Sequence, residues 1–315
     1  MSQYTTNHNN NCSSNTNSFN TVWNNYTVAD DRPHLLAWLS PLEPSLRHRD
    51  IRERRVDDVG QWLMQSEEFR RWRGLGGESN GDSAVLFCYG DPGVGKTFIR
   101  YHNEDYSARS EAREPVLTSH DNSSLVVDNL CNQTRGQSAP VTCFYFDFAA
   151  RKEQSATNML GSLLNETDGQ WNGKDSGEIS RAFQQQKQAI GGCGPQLVDI
   201  VKMLQAITSE QPTFICIDAL DECVGVQRAR VLNSLKQILE KSPTMRIFVT
   251  GRPHIRAEME KRFARRMINV SICPTKACII GYLRVKLGED EMPDAMDEIL
   301  EAEILEKIPQ NISEM

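Results

Sequence analysis

The stretch Gly90-Asp91-Pro92-Gly93-Val94-Gly95-Lys96-Thr97 constrains this chain more than any other. It has the spacing G-x-x-x-x-G-K-[ST] and stands directly behind Ala84-Val85-Leu86-Phe87-Cys88-Tyr89, a short apolar run of buried-strand type. Glycines at those positions let the backbone wrap until its N–H groups converge on anionic oxygens. The helix that must follow aims its positive end at the same point. Four more apolar runs recur downstream, at 141–148 (VTCFYFDF), 213–218 (TFICID), 246–250 (RIFVT) and 267–272 (MINVSI). Between them, Leu197, Ile200, Val201 and Leu204, and then Val231, Leu232, Leu235, Ile238 and Leu239, repeat at helical spacing. Short apolar strands alternating with amphipathic helices predict an α/β fold: a parallel five-stranded sheet flanked by helices.

Each part of the loop has a chemical task. Gly90, Asp91, Pro92, Gly93, Val94 and Gly95 would cradle phosphates, Lys96 would reach the β- and γ-phosphates, and the Thr97 hydroxyl would hold Mg²⁺. A second motif supports the first. The run Phe214-Ile215-Cys216-Ile217 leads into Asp218-Ala219-Leu220-Asp221-Glu222. A carboxylate at the tip of an apolar strand is what a Mg²⁺ site beside a phosphate loop requires, which assigns Asp218. Asp221 and Glu222 follow at a reach suited to polarising an attacking water, although acids also gather at helix starts for dipole reasons. A third element is Thr250-Gly251-Arg252-Pro253, where Arg252 at a strand tip can reach a γ-phosphate.

The remaining chain divides by composition. No Asp, Glu, Lys or Arg precedes Asp30, and Asn occurs nine times between Asn7 and Asn25. Such a segment buries too little apolar surface to offset its ordering entropy, so residues 1–33 are expected to be a disordered tail. Asn-rich tracts with aromatics such as Phe19, Trp23 and Tyr26 can also stack into cross-β ladders, an amyloid-like mode of signalling. Residues 34–80 form a short helical segment and a Gly-rich linker, 81–273 the core, and 274–315 the start of a further helical region. Length allows about two domains. The balance of 35 basic against 42 acidic residues, a net −7, argues against a nucleic-acid partner. No stretch is long and apolar enough for a membrane span. Nine scattered cysteines without a C-x-x-C pair, behind a start that lacks a secretory signal, point to reduced thiols in the cytoplasm.

Together the three motifs resemble the NACHT-type P-loop NTPases of the STAND class, the signalling switches of NOD-like receptors and their fungal relatives. The carriers are Gly90 to Thr97, the form Asp218-Ala219-Leu220-Asp221-Glu222, and Thr250 to Pro253 at the place of the family's sensor-1 strand end. Trp38-Leu39-Ser40-Pro41-Leu42, Phe144 to Phe148 and the stretch from Thr275 to Leu287 are also similar to fungal members. The resemblance covers roughly residues 35–315. It implies ATP or GTP with Mg²⁺ as ligands, slow hydrolysis, homo-oligomers of the nucleotide-bound full-length form, and a role in self/non-self recognition, innate immunity or regulated cell death. The family normally continues into a winged-helix part and a ligand-sensing repeat domain. Here the chain stops at Ile312-Ser313-Glu314-Met315, so a fragment or early stop is expected.

One segment breaks the pattern. Arg100 to Ser123 is polar and non-periodic, and Leu125-Val126-Val127-Asp128-Asn129-Leu130 then reads as helix again. Joining Ile99 through two serines to Leu125 places Leu125, Val126 and Leu130 on one helix face with Ile99. Residues 100–122 therefore read as translated intron, the alternative being a surface loop. Two other functional readings stand beside the switch. One is a small-molecule or nucleotide kinase, for which Arg151-Lys152 comes nearest to a lid arginine. The other is an inactive truncated product.

Overall fold

The computed structural model describes residues 32–53, 61–74, 83–90, 125–136, 139–170, 177–187, 194–272, 280–281, 283–284, 287–288 and 297–313. The Asn-rich tail, Asp91 to Thr97 and the segment 100–122 lie outside them. Five strands form one sheet: β1 (Val85–Tyr89), β2 (Val141–Tyr145), β3 (Phe214–Asp218), β4 (Arg246–Gly251) and β5 (Met267–Ser271). Their order is β2-β3-β4-β1-β5 and every pairing is parallel. The five apolar runs are thus the five strands. The second run extends beyond its strand, because Asp147 accepts a hydrogen bond from Ala149 N (2.8 Å) and turns Phe148–Ala150 into a 3₁₀ turn.

Both faces of the sheet are covered, as near-continuous apolar strands require. Val85, Phe87, Ile215, Ile217, Ile247 and Val249 point into one core; Leu86, Cys88, Cys216 and Phe248 point into the other. The first core is closed by α1 (Arg32–Leu39), α6 (Ala156–Gln170), α7 (Gly177–Lys187), α8 (Leu197–Glu210), α9 (Gly225–Lys241) and α10 (Arg256–Phe263). The second lies under α2 (Pro44–Glu53), α3 (Gln61–Gln65), α4 (Glu67–Arg73) and α5 (Leu125–Gln133). A last helix spans Glu298–Ser313.

The helices ahead of β1 are built into the sheet. Helix α4 starts where Ser66 Oγ accepts from Phe69 N (3.2 Å), carries Glu67 and Glu68 in its first turn and Arg70, Arg71 and Arg73 in its last, and stops at Gly74 with φ 81°. All of these features favour a short helix at that place. Its Trp72 is fully buried against Phe69, Phe214 and Phe248, donates Nε1 to Ala84 O (3.2 Å), and offers its own carbonyl to Arg246 Nε (2.9 Å). Helix α1 meets α6 so closely that a Cβ at Gly161 would collide with the Leu39 carbonyl oxygen.

Candidate functional site

In a parallel sheet the carboxyl ends of all strands lie along one rim, and ligands bind there. At this rim β3, β4 and β1 are consecutive neighbours. Tyr89 pairs with Gly251, and Gly90, the first residue of the glycine-lysine motif, donates its N–H to Gly251 O (3.3 Å). A Cβ at Gly251 would stand 2.7 Å from Ile255 Cδ1 and 3.4 Å from Phe87, so the tip of the Ile255 side chain packs onto the bare backbone there. The motif therefore begins locked to the tip of β4 and one strand away from Asp218.

Asp218 ends β3 and is 7% exposed. Its Oδ1 accepts the hydroxyl of Thr250 at 2.5 Å, and Thr250 Oγ1 accepts from Ala219 N at 2.9 Å. A charge-assisted bond of this type contributes about 1.5–3 kcal/mol. Ala219 itself adopts φ 53°, a left-handed conformation that a residue with a Cβ takes up at a cost of about 1 kcal/mol. The turn is held there by the Thr250 hydroxyl, so Thr250 fixes both the carboxylate and the exit of the chain from β3. In the sequence, Thr250 stands out only as part of a strand end.

Asp221 and Glu222 follow in a 3₁₀ turn, Leu220–Glu222, and they differ in environment. The Asp221 carboxylate is 5% exposed; Oδ1 accepts from Arg252 N (3.1 Å) and Oδ2 pairs with Arg252 Nε (3.1 Å), while the Arg252 side chain is 46% exposed. The sequence offered these two as separate groups, a carboxylate facing water and an arginine facing phosphate; in the fold they are one ion pair at the rim. Arg228 of α9 braces the same turn, donating Nη1 to Cys223 O (2.9 Å) and Asp221 O (3.4 Å) while its Nε pairs with Glu258 of α10 (2.8 Å).

Glu222 points the other way, toward β2. Its Oε2 accepts from the main-chain N–H of Phe148 (2.9 Å), and its carbonyl accepts from Arg151 Nε (2.9 Å). The Arg151 guanidinium lies 3.6 Å over the Phe148 ring. Burial raises the Glu222 pKa above the ordinary carboxylate value; the Phe148 N–H opposes that, Asp221 and Asp147 add to it, and Arg252 opposes it. A carboxylate shifted in this direction is better suited to accept a proton near neutral pH. Sequence reasoning missed the Phe148 N–H, because a main-chain donor has no signature in residue type. It also missed Arg256, whose Nη1 donates to Tyr89 Oη (3.2 Å) at the tip of β1.

Lys96 and Thr97 lie outside the described residues. Among the described residues, no group of three His, Cys, Asp or Glu side chains could by itself hold a metal ion. The donor chemistry at the rim nevertheless fits Mg²⁺, which takes hard oxygen ligands, keeps several waters and needs only one or two protein groups beside phosphate oxygens. Asp218 offers such an oxygen at the strand tip.

A sequence model of the family described as Nephrocystin 3, N-terminal matches residues 58–115 and 122–252, more than half of the chain. No curated protein matches the chain by sequence. Among solved structures, Cdc6p from Pyrobaculum aerophilum is similar at 12% identity and a TM-score of 0.40, over 79% of this chain and 52% of that one. The Orc1 protein of Aeropyrum pernix, solved in complex with DNA, gives 15% and 0.38 over 73% and 53%. A Walker-type ATPase of Pyrococcus abyssi gives 14% and 0.39 over 82% and 68%. The chain spans about half the length of the first two.

Proposed function

We propose that this chain, which belongs to the Nephrocystin 3 N-terminal family, is a nucleoside-triphosphate-binding switch of the NACHT/STAND type that hydrolyses ATP or GTP slowly with Mg²⁺. The observation that carries this reading is the rim itself. The G-x-x-x-x-G-K-[ST] motif opens at Gly90, bonded to Gly251, on the same rim as the buried Asp218–Thr250 pair and, further along toward β2, the Glu222 carboxylate. In this reading Gly90 to Gly95 cradle the phosphates, Lys96 compensates their charge, and Thr97 and Asp218 hold Mg²⁺. The ion, when bound, neutralises charge on the β- and γ-oxygens. Glu222 takes the proton from the attacking water. Asp221 holds the Arg252 main chain and Nε and so aims the remaining guanidinium nitrogens from the rim.

The kinase alternative loses its candidate lid arginine, because Arg151 is committed to the Glu222 carbonyl and the Phe148 ring. Regulated assembly of a longer form and a cytoplasmic setting complete the proposal. Translated intron is the origin proposed for residues 100–122, on their polar, non-periodic composition alone, since the family match runs through 100–115 and breaks only at 116–121. The test is nucleotide titration and hydrolysis by the full chain, with and without residues 100–122. Lys96→Ala should lose triphosphate binding, and Glu222→Gln should bind like the parent and hydrolyse at a small fraction of its rate. Parent-like binding in Lys96→Ala would end the phosphate-loop reading, and parent-like hydrolysis in Glu222→Gln would remove that residue as base.

A further inference from the structure

The acid that this reading makes the base is oriented by a segment outside the three nucleotide motifs. The turn after β2 starts at Asp147, with φ −133° and ψ 124°, and enters a 3₁₀ turn at Phe148. The Asp147 carboxylate accepts from Ala149 N (2.8 Å) and pairs with Arg47 Nη2 of α2 (3.2 Å); its main-chain N–H donates to Gln154 Oε1 (3.1 Å). The turn is thereby fixed from three sides, and the one N–H it directs outward, that of Phe148, ends on Glu222 Oε2. Glu222 Oε1 has no hydrogen-bond partner among the described residues. A carboxylate held by one oxygen and open at the other is the arrangement of a base with an orienting partner.

We propose that the main-chain N–H of Phe148 is the positioning group for the Glu222 carboxylate in hydrolysis, and that Arg47 of α2, acting through Asp147, keeps that N–H in place. The inference rests on the assignment of Glu222 as base. It makes the helical segment ahead of the core a control point for turnover, since α2 reaches the catalytic acid through two contacts. The phenyl ring has no part in it: Phe148 is 64% exposed and touches Arg151 only from outside. The groups facing Glu222 are Asp221 from its own turn, Asp147, Arg252 from the end of β4 and, across the Phe148 ring, Arg151. Losing the N–H leaves the two acids and burial less opposed, so the carboxyl should hold its proton to higher pH.

The fold permits a clean deletion of the donor. Phe148 is the first residue of its turn and Asp147 before it is extended, which is where proline is tolerated on both counts. The experiment compares the parent, Phe148→Pro, Phe148→Ala, Arg47→Ala and Arg47→Lys in the full chain. Its readouts are hydrolysis of Mg²⁺-ATP and Mg²⁺-GTP against pH and direct NMR titration of the ¹³C-labelled Glu222 carboxyl, assigned with Glu222→Gln. In Phe148→Pro, kcat at neutral pH should fall on the order of tenfold, within what a misplaced general base forfeits, with KM nearly unchanged. The acid limb of the profile and the carboxyl titration should both move to higher pH. Phe148→Ala, which keeps the N–H, should move the carboxyl titration far less than Phe148→Pro, Arg47→Ala should shift both readouts in the same direction as Phe148→Pro by less, and Arg47→Lys should restore them.

A parent-like carboxyl titration in Phe148→Pro overturns the inference, and so does faster turnover in that variant. Parent-like behaviour of Arg47→Ala removes the α2 half. Parent-like hydrolysis in Glu222→Gln would instead sink the assignment of the base. The carboxyl titration would still decide whether the Phe148 N–H sets that group.

Discussion

Acidic side chains gather in two places on this sheet, the rim formed by the ends of β3 and β4 and the outer edge of β2. At the rim, Asp218 is tied to the Thr250 hydroxyl, Asp221 to Arg252, and Glu222 to a main-chain N–H. At the edge, Glu166 of α6 accepts the Cys143 N–H (2.9 Å), a donor that an edge strand would otherwise leave without a partner. Nearby, His48 of α2 bonds Tyr145 Oη through Nδ1 (2.8 Å), stands 3.6 Å from Cys143 Sγ, and lies 4.0 Å from Asp128 of α5 through Nε2. The edge cluster has a nucleophile, a ring nitrogen and an acid in sequence, yet burial holds the Cys143 thiol well above its ordinary pKa. That thiol stays protonated and inert. Similar residue types thus do different work: where helices cover them they seal a strand, and where the strands end they line the rim that the proposal gives to the nucleotide.

Variants at the two places should separate these roles. The largest effect belongs to the rim: Lys96→Ala should weaken triphosphate binding on the order of 100-fold, the loss of charge-assisted contacts to two phosphates. Thr250→Val, nearly the same shape, should lower stability by about 2 kcal/mol and reduce Mg²⁺-dependent affinity as well. Denaturant unfolding and nucleotide titration check both, and a Thr250→Val protein that loses stability alone would make the rim merely structural. At the edge, burial pushes the Glu166 carboxyl up to about 7, against the Cys143 N–H, which pulls it down. A folded-state pKa above the unfolded one means that the folded state binds more protons between about pH 4.5 and 7. Stability from this group should therefore fall as pH rises through that window, and Glu166→Gln should flatten the slope. The smallest change is Tyr145→Phe, about 0.5–1 kcal/mol of stability with nucleotide affinity untouched. Altered affinity in either edge variant would erase the distinction between the two clusters.

How far the sequence discloses this arrangement follows the same division. The strands are legible because burial on both faces leaves apolar runs, whereas Gly90 to Thr97 and Asp218 stand out because the proposed phosphate and Mg²⁺ chemistry demands fixed spacings. The joining of Asp221 to Arg252, 31 residues apart, is not legible, since it depends on β3 and β4 being neighbours. Nor is the bond from Phe148 to Glu222, across 74 residues, where the donor is main chain. Periodicity locates α8 and α9 well. It leaves the charged stretch before the linker as a helical tendency, because Ser66 and Gly74 define α4 by caps rather than by repeat.

The burial of Trp72 bears on the order in which the molecule is made. Its carbonyl is matched by Arg246, 174 residues downstream, and its ring by Phe214 and Phe248. At about 5–20 residues per second, the ribosome needs roughly 10–35 s to deliver those partners after Trp72 emerges. Through that interval Phe69 and Trp72, both fully buried in the finished fold, have nowhere to go. The nascent chain would display an aromatic pair to whatever chaperone waits at the exit, until β4 is released and docking becomes possible.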